Sequence, residues 1–442
     1  MIKKLLTIFL LAFLCSVMNA QNEFITIWKP GSSQQIKFPG RGVNFQVSWE
    51  EIGYPQHNGN MENVTSTTEF TITFGASLNP VPAEATYRVK VSNRDGNFNQ
   101  FRSYDPTLVP LYNWTDRLKL LEVTQWGNIQ WTSFEQAFVL CDNLNVTATD
   151  IPNLSLVTST NEMFYICSSL VGNPSFNNWN TSNITIMTNM FANAVSFNQP
   201  IGNWDVSNVT DMYGLFDYAI TFNQPLNNWN TSNVTTMEHS FHGAFAFNQD
   251  IRSWNTSKVT NMEEMFHDAH SFNQNLGSWN LSSLTIAKDM FLISGMSCQN
   301  YDNTLYAWAA NPTTPDNINL ANAYPLKYSH SLVVAARNHL INNKGWTISG
   351  DVLDEECNSF LAAAETSKKD MISIYPNPAT DFIYIKNPKG LNNYKIFDRS
   401  GRIVLQNNVT DDKINISSLS KGNYILQVSS KQQNHTLKFI KQ

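Results

Sequence analysis

Four histidines in the middle of the chain form two pairs, and the members of each pair are three residues apart. The pairs are His239 with His242 and His267 with His270, beside Glu238, Glu263, Glu264 and Asp268. Imidazole nitrogens and carboxylate oxygens are ligands that zinc and copper take in proteins. The same residue types are also common at variable, solvated surface positions. We therefore predict no metal and no cofactor, and the sequence leaves metal binding by this histidine cluster open.

Motifs for enzyme chemistry are missing from the sequence. It contains no nucleophile elbow, no H-E-x-x-H pair and no phosphate-binding glycine loop. Glu263 and Glu264 are predicted to occupy exposed positions, where they would be poor paired carboxylates. The sequence therefore predicts no catalytic residues and a protein that is not an enzyme.

The histidines belong to a repeat of about 25 residues. A tryptophan recurs with this period, at Trp179, Trp204, Trp229, Trp254 and Trp279. A phenylalanine recurs with nearly the same period, at Phe138, Phe164, Phe191, Phe216, Phe241, Phe266 and Phe291. Seven units therefore extend from about residue 127 to about residue 303, and stacked units of this kind bury a continuous core. His242 and His267 occupy the same position in successive units, so we expect them to be neighbours.

Each unit is predicted to contain a short strand, a turn and a short helix. Leu226, Trp229 and Thr231 follow the L-x-x-L-x-L strand pattern of leucine-rich repeats. The next apolar residues have helical spacing, at Val234, Met237, Phe241 and Ala244. The predicted fold class is an α/β solenoid of the leucine-rich-repeat type, flanked by an N-terminal β module and a C-terminal β-sandwich of immunoglobulin-like size.

The tryptophan column has two interpretations. Each ring can fill the inward position of its strand, or the rings can form an exposed platform on which sugars stack. The fixed register of the column favours the core, and the residues beside each tryptophan must then project outward. These residues form the predicted ligand-binding face: Asn203, Asp205, Asn228, Asn230 and Asn255. The alternative for this face is a solvated sheet whose amides bond to one another.

Beyond Ala20 the sequence contains four cysteines. Cys141 and Cys167 occupy a repeat position that otherwise holds Ala or Ser. This position favours small buried side chains, and a disulfide between neighbouring units is the alternative. Cys298 and Cys357 bracket the segment after the repeats and are another possible pair. The sequence leaves both disulfide states open.

The segment from Met1 to Ala20 has the pattern of a secretory signal peptide. Lys3 and Lys4 precede an apolar run, Leu5 to Leu14, that is too short to cross a bilayer. No later run is apolar and long enough to span a membrane, so we expect no transmembrane segment in the mature chain. The net charge of −6 argues against nucleic acid as a partner.

The segments on either side of the repeats have other periodicities. Alternating apolar residues predict strands at 24–28, 45–49, 70–74 and 87–91. Helical patterns follow the repeats at 303–310 and 329–342. The predicted organisation is a signal peptide (1–20), an N-terminal β module or cap (21–110), the repeats (111–303), their C-terminal cap (304–357), a linker (358–370) and a C-terminal β module of seven strands (371–442).

The repeats resemble the BspA-like leucine-rich repeat surface proteins. The resemblance rests on W-N-T-S-N-V-T-T-M at Trp229–Met237 and F-N-Q-P-L at Phe222–Leu226. An early block at Trp126–Phe138 and a late block at Gly345–Asp351 resemble the family too. The resemblance implies a cell-surface or secreted protein, and some members of the family are adhesins that bind host proteins. It supplies no catalytic residues.

The C-terminal module resembles the type A sorting domain of the type IX secretion system of Bacteroidetes-type bacteria. The resemblance rests on three segments, Tyr375–Asp381, Asp398–Arg402 and Leu419–Tyr424. The sorting-motif residues are Pro376, Asn377, Pro378, Gly401, Gly422 and Tyr424. The resemblance implies passage across the outer membrane by the type IX machinery. A sortase-like peptidase would then remove the module, and the protein would be released or attached to the outer-membrane surface.

Together these patterns predict a secreted or surface-displayed binding or adhesion protein. A host protein, a matrix protein or a glycan is the expected class of ligand. The alternative is a structural component of a surface layer or matrix with no specific ligand. A secreted enzyme is the third interpretation, and no motif supports it.

Overall fold

The computed structural model describes residues 22–105, 116–329, 331–357, 373–386, 391–399, 401–430 and 434–442. The predicted signal peptide and linker lie outside these residues. The chain divides into two compact units, residues 1–359 and residues 360–442. Within the described ranges, no helix has both the length and the apolar character needed to cross a membrane.

The N-terminal part of the first unit is built from strands. They are β1 (Phe24–Trp28), β2 (Gln35–Phe38), β3 (Gly40–Glu51), β4 (Tyr54–Ser66), β5 (Phe70–Thr73), β6 (Tyr87–Ser92), β7 (Asn97–Phe101), β8 (Leu120–Gln125) and β9 (Asn145–Val146). The main sheet has the order β4-β3-β6-β1-β8-β9, with β7 also on β3, and β2 pairs with β5. The four strands predicted here are confirmed by β1, β3, β5 and β6. The long edge strand β4 was not foreseen because its sequence is mostly polar and does not alternate.

The main sheet continues directly into the repeats. Strand β8 pairs antiparallel with β1 and parallel with β9, which lies in the first repeat unit. Phe101 of β7 also stacks on Phe138, the first repeat phenylalanine, with ring centroids 5.0 Å apart. The module therefore covers the first unit and shields its apolar edge from water.

A buried carboxylate orders the loop after β5. Glu51 accepts hydrogen bonds from the Ser77 hydroxyl at 2.6 Å and from the backbone N–H of Asn79 at 2.8 Å. The His57 ring and the Leu78 N–H group contact its other oxygen. Burial raises the pKa of Glu51, but these hydrogen bonds outweigh burial and lower the pKa to about 2.

Glu51 should therefore make the module acid-sensitive. A carboxylate whose folded pKa lies below its ordinary value of 4.5 stabilises the fold above that value. The stabilisation is lost as the pH falls from 4.5 towards about 2. We expect Glu51→Gln to lower the melting temperature at neutral pH. The melting temperature of this variant should also fall less in acid than that of the parent protein. Melting curves at a series of pH values measure both effects, and the exposed Glu69→Gln is the matched control. An unchanged acid dependence in Glu51→Gln would contradict the assignment.

The predicted α/β solenoid is wrong, because the described repeat units contain no α-helix. From residue 127 to residue 296 the described backbone consists of turns, short extended segments, isolated parallel bridges and one short 3-10 turn. The two α-helices among the described residues, α1 (Cys298–Ala310) and α2 (Ser331–Asn342), follow the repeats. The remaining regular structure is strands in several separate sheets.

Paired tight turns produce the spacing that resembles a helix. His239 and Gly243 have positive φ angles of 56° and 62°, which a right-handed helix does not contain. One turn is closed by a hydrogen bond from the Ser240 N–H to the Met237 carbonyl. Another is closed by a bond from the Ala244 N–H to the Phe241 carbonyl. The buried residues Met237, Phe241 and Ala244 therefore follow at intervals of four and three, as they would on one face of a helix.

Neighbouring units are joined at equivalent positions. The backbone N–H groups of Met237, His239, Phe241 and Gly243 donate to carbonyls of the next unit, on Asn261, Glu263, Met265 and His267. Parallel bridges repeat along the chain from Ser159 through Ile186, Asp211, Thr236 and Asn261 to Ile286. The rings of Phe241 and Phe266 stack 5.9 Å apart in the core between units. The same backbone and core contacts thus recur from unit to unit.

The segment after the repeats contains α1 and α2, close to the predicted helices. Four short strands, β10 (Asn319–Leu320), β11 (Lys327–Tyr328), β12 (Thr347–Ile348) and β13 (Val352–Leu353), form two parallel pairs, β10 with β12 and β11 with β13. A disulfide joins Cys298 to Cys357 across this segment. Cys141 and Cys167 are buried free thiols, so the alternative of a disulfide between them is not the state seen here.

The second unit consists of two sheets around one core. The strands are β14 (Ser373–Tyr375), β15 (Phe382–Lys386), β16 (Leu391–Phe397), β17 (Ile403–Asn408), β18 (Lys413–Asn415), β19 (Gly422–Ser430) and β20 (Asn434–Lys441). One sheet has the order β14-β15-β18 and the other the order β17-β16-β19-β20. Ile383, Ile414 and Leu426 are buried between them.

Candidate functional site

The residues of the predicted ligand-binding face all lie at the surface. Asn203, Asp205, Asn228, Asn230 and Asn255 are exposed. The tryptophans between them are buried, with Trp229 3% and Trp254 4% exposed. We call these five residues the polar face. Its outward orientation follows from the inward orientation of the tryptophans.

The tryptophan column is part of the core and also carries a hydrogen-bond ladder. The indole N–H of Trp229 donates to the carbonyl of Ile201 in the preceding unit at 3.1 Å. Trp254 makes the equivalent bond to Leu226 at 3.0 Å, and the two indole rings stack 6.1 Å apart. Buried rings with satisfied N–H groups offer no platform to a sugar.

Three residues of the polar face have a structural task that the sequence analysis missed. The Oδ1 atoms of Asp205, Asn230 and Asn255 accept hydrogen bonds from the backbone N–H two residues later, at 2.9, 3.2 and 3.1 Å. Such Asx turns are formed by Asn or Asp two residues before a turn N–H. The recurring Asn-x-Ser or Asp-x-Ser triplet is the signal that could have revealed them. Because Oδ1 is taken, the asparagines offer a ligand their Nδ2 donors.

Two further side-chain ladders run along the repeats. The Asn223 Oδ1 atom accepts from the backbone N–H of Asn248 at 3.0 Å, and the Gln249 side-chain amide donates to the Asn223 carbonyl at 3.1 Å. On another edge the Thr235 hydroxyl donates to the carbonyl of Thr210 at 2.9 Å. These bonds explain why a chain with only 14% charged residues is rich in Asn, Gln and Thr.

The histidine cluster lies on the face that carries the paired turns. The Nδ1 atoms of His239 and His242 are 3.2 Å apart, and the His242 Nδ1 atom is 2.9 Å from an oxygen of Asp217. The His242 ring stacks on that of His267 at 4.6 Å, so the prediction that these residues are neighbours is confirmed. His270 is half-exposed, stacks on Phe245 and lies 3.7 Å from an oxygen of Asp268.

Two groups of three potential metal ligands share His242. One is Asp217, His239 and His242, and the other is His242, Glu264 and His267. Each group draws its ligands from two neighbouring units, because Asp217, His242 and His267 occupy the same position in successive repeats. Asp217 is not among the candidate residues predicted from the sequence, although it lies one repeat before His242 at the same position.

The surroundings of the cluster are rich in negative charge. Burial raises the pKa of Tyr213, and the nearby carboxylates of Glu238, Asp217 and Glu264 raise it further. The pKa of Glu238 is also raised, by burial first and by Glu263 in addition, against the opposing effect of His239. A cation at this position would therefore be electrostatically favoured.

The free cysteines do not form a reactive site. Cys141 and Cys167 are fully buried in the core of the first two units. Burial raises the pKa of both thiols well above the ordinary value. A thiol that stays protonated is a poor nucleophile and a poor metal ligand.

The sorting-motif residues converge within the second unit. Asn377, Asp398, Gly401 and Tyr424 line one groove of about 640 Å³ with residues of β20. The Asn377 side chain fixes the Pro376–Pro378 turn to β20, because it accepts from the Ile440 N–H at 2.9 Å and donates to the Lys438 carbonyl.

Gly401, Gly422 and Tyr424 shape the turns and the strand at this groove. Gly401 has a positive φ of 81° in the turn between β16 and β17. Gly422 begins β19, and the buried Tyr424 donates its hydroxyl to the Ser420 carbonyl at 2.8 Å. Segments far apart in sequence thus form one surface of the second unit.

Comparison with known proteins separates the two parts of the chain. Residues 132–246 and 199–308 match a family described as "Mycoplasma protein of unknown function, DUF285". Residues 373–442 match the secretion system C-terminal sorting domain. No curated protein matches the chain.

One similar solved structure comes from work on PorZ, described as an essential bacterial surface component of the type-IX secretion system of Porphyromonas gingivalis from the human oral microbiome. The identity is 20% and the TM-score 0.16, and the match covers 17% of this chain and 12% of that one. A likeness of this size carries no argument about the present chain.

The match at the C-terminus indicates how the chain is exported. A sorting domain of this kind is recognised by the type IX secretion machinery, and the match spans the whole described part of the second unit. The match of the repeats is compatible with the BspA-like resemblance, and the finer assignment stays a prediction. The chain is thus an exported protein, at the cell surface or secreted, that carries a C-terminal sorting domain for type IX secretion.

Proposed function

We propose that the exported protein is a binding or adhesion protein and that the polar face of its repeats holds the ligand. The observation that carries the proposal is the regular column of exposed, mostly uncharged side chains on successive units. Regular backbone contacts hold these side chains at a constant spacing. A partner can therefore contact several units at once.

The chemistry of the face favours a polar, extended ligand. In Asn230 and Asn255 the Oδ1 atom is engaged in an Asx turn, so the Nδ2 group of each is the hydrogen-bond donor offered to a ligand. A glycan or an extended protein segment, both rich in oxygen acceptors, is the ligand class that fits. Asp205 is the one ionisable residue of the five, so binding should depend weakly on salt.

A binding screen tests the proposal. The full chain is applied to a glycan array and to immobilised host-matrix proteins, and binding of at least one ligand is expected. The absence of any ligand in both screens would overturn the proposal in favour of a structural role. Retained binding by a protein whose polar face is blocked would move the site elsewhere.

Blocking the polar face should remove binding without unfolding the protein. We expect the triple change Asn203→Lys, Asn228→Lys and Asn230→Lys to abolish binding of the ligand found in the screen, because bulky cations cover the donors. Surface plasmon resonance measures affinity, and melting curves report the fold. The control adds the same charge to exposed positions elsewhere, by Phe245→Lys, His270→Lys and Ser271→Lys.

A gentler pair of changes separates binding from turn formation. Asn230→Asp with Asn255→Asp keeps the Oδ1 acceptor of each turn and removes the Nδ2 donors. Asp205 occupies the same repeat position naturally, so the fold accommodates aspartate there. We expect about a tenfold loss of affinity, as for one or two lost hydrogen bonds, with an unchanged melting temperature. Full affinity in this variant would contradict the role of the amide donors.

A further inference from the structure

The ligand atoms of the histidine cluster stand at the separations that a bound zinc ion imposes. Zinc bonds of roughly 2.0–2.1 Å in tetrahedral geometry place neighbouring ligand atoms about 3.3 Å apart. The two Nδ1 atoms of His239 and His242 are 3.2 Å apart, and the Asp217 Oδ1 atom lies 2.9 Å from the His242 Nδ1 atom. The three atoms are therefore placed as three corners of one coordination shell, and the two distances are two of its edges.

One oxygen of Asp217 is an independent indication of a cation site. Its Oδ1 atom is buried and accepts no hydrogen bond from the described residues, although it lies close to His242. The closeness without hydrogen-bond geometry is what two ligands of one ion show. A buried carboxylate oxygen that accepts no hydrogen bond is costly, and a metal ion would remove that cost.

A fourth donor is available from the next unit. The Glu264 Oε2 atom lies 3.8 Å from the His239 Nδ1 atom and 3.1 Å from the His267 Nδ1 atom. A small rotation of this half-buried side chain brings the carboxylate into the first group. The set then contains two imidazoles and two carboxylates, which suits zinc and is poor for calcium or magnesium, because those ions prefer oxygen alone.

Backbone hydrogen bonds between successive units fix the positions of these side chains. His239 donates its N–H to Glu263 in the next unit at 3.0 Å, and Gly243 donates to His267 at 2.8 Å. The positive φ of His239 is part of the turn that recurs in every unit. The ligands therefore belong to regular elements of the stack, which favours a site with little freedom to rearrange.

We propose that the repeats bind one zinc ion through Asp217, His239 and His242, with Glu264 as the fourth ligand. The ion joins three successive repeat units at the middle of the array. This departs from the expectation of no metal that the sequence alone supported. One ion per chain is expected, since both groups of ligands need His242.

Zinc titration of the full chain tests the site. Protein without a polyhistidine tag is stripped with chelator and titrated by calorimetry, and one zinc per chain with a micromolar or tighter dissociation constant is expected. Cobalt(II) should give the visible absorption of a tetrahedral site. Zinc should also raise the melting temperature, because it binds only the folded stack. A lack of binding at high micromolar zinc would overturn the proposal.

Single variants identify the ligands. His242→Ala and Asp217→Asn should each weaken zinc binding by about 100-fold or more, beyond the usual loss from a residue that only supports a ligand. His270→Ala, on the same face but outside both groups, should bind as the parent does. His267→Ala should also retain binding, since His267 belongs only to the second group. Loss of binding in His267→Ala with retention in Asp217→Asn would overturn the stated ligand set.

Discussion

Deletion of residues 371–442 is expected to abolish delivery of the protein to the cell surface and to leave the repeats folded. The deleted residues include the whole match to the sorting domain. They also contain a complete core of their own, in which Ile383, Ile396 and Leu426 are buried among residues of the same unit. The first unit should therefore fold without them.

The loss of surface delivery should be close to complete, because the type IX secretion machinery recognises the removed segment. Cell fractionation with antibodies against the repeats measures it, and the truncated protein should accumulate in the periplasm. Protease resistance and the melting temperature of the truncated protein report whether it is folded. Fusion of residues 371–442 to an unrelated exported reporter is the reciprocal control, and the reporter should gain surface delivery. Normal display of the truncated protein would defeat the assignment.

A change within the groove tests the tail more finely. Asn377→Ala removes both bonds that tie the Pro376–Pro378 turn to β20 but leaves the core of the unit intact. We expect reduced delivery, intermediate between the intact and truncated proteins, because the groove loses its shape on one side. The exposed Asn415→Ala, at the end of β18 and outside the groove, is a matched control that should be delivered normally.

The sequence predicted the repeat period, four strands of the N-terminal module and the seven strands of the C-terminal module, and it failed on the content of each repeat. The period survives because Trp229 and Phe241 must face the same core in every unit. The helix was predicted because the spacing of Met237, Phe241 and Ala244 is the same in a helix and in paired four-residue turns. Residues with positive φ separate the two, and His239, Glu264 and Asp268 adopt it without being glycine. A pattern of apolar residues carries no information about that angle.

The candidate sites were predictable to different degrees. The exposure of Asn228 and Asn230 follows from the buried tryptophan between them, so alternation was sufficient. The approach of His242 to His267 follows from the register of the repeat. The contact of His242 with Asp217 follows from the same register, but carboxylates on a surface are common and nothing local distinguishes this one. The 2.9 Å approach and the buried oxygen are properties of the stacked units.

Replacement of Trp229 by alanine is expected to destabilise the repeats by about 3–5 kcal/mol, the usual cost of removing a large buried aromatic side chain. Its ring is 3% exposed and stacks against Trp254 at 6.1 Å. Removal also leaves the Ile201 carbonyl without the 3.1 Å bond from the indole N–H. Trp229 contacts the unit before it through Ile201 and the unit after it through Trp254, so a cavity at this position weakens the contacts on both sides.

Chemical denaturation followed by circular dichroism measures this loss without relying on the fluorescence of the removed residue. Trp229→Phe keeps most of the packing and removes the hydrogen bond, so it should cost less, about 1–3 kcal/mol. Tyr306→Ala removes an exposed aromatic ring from α1 and should change stability by less than about 0.5 kcal/mol. An unchanged stability in Trp229→Ala, together with loss of sugar binding, would place the indole at a ligand surface. The buried ring and its bond to Ile201 argue for the core, because a side chain that closes the gap between two units cannot also face a ligand.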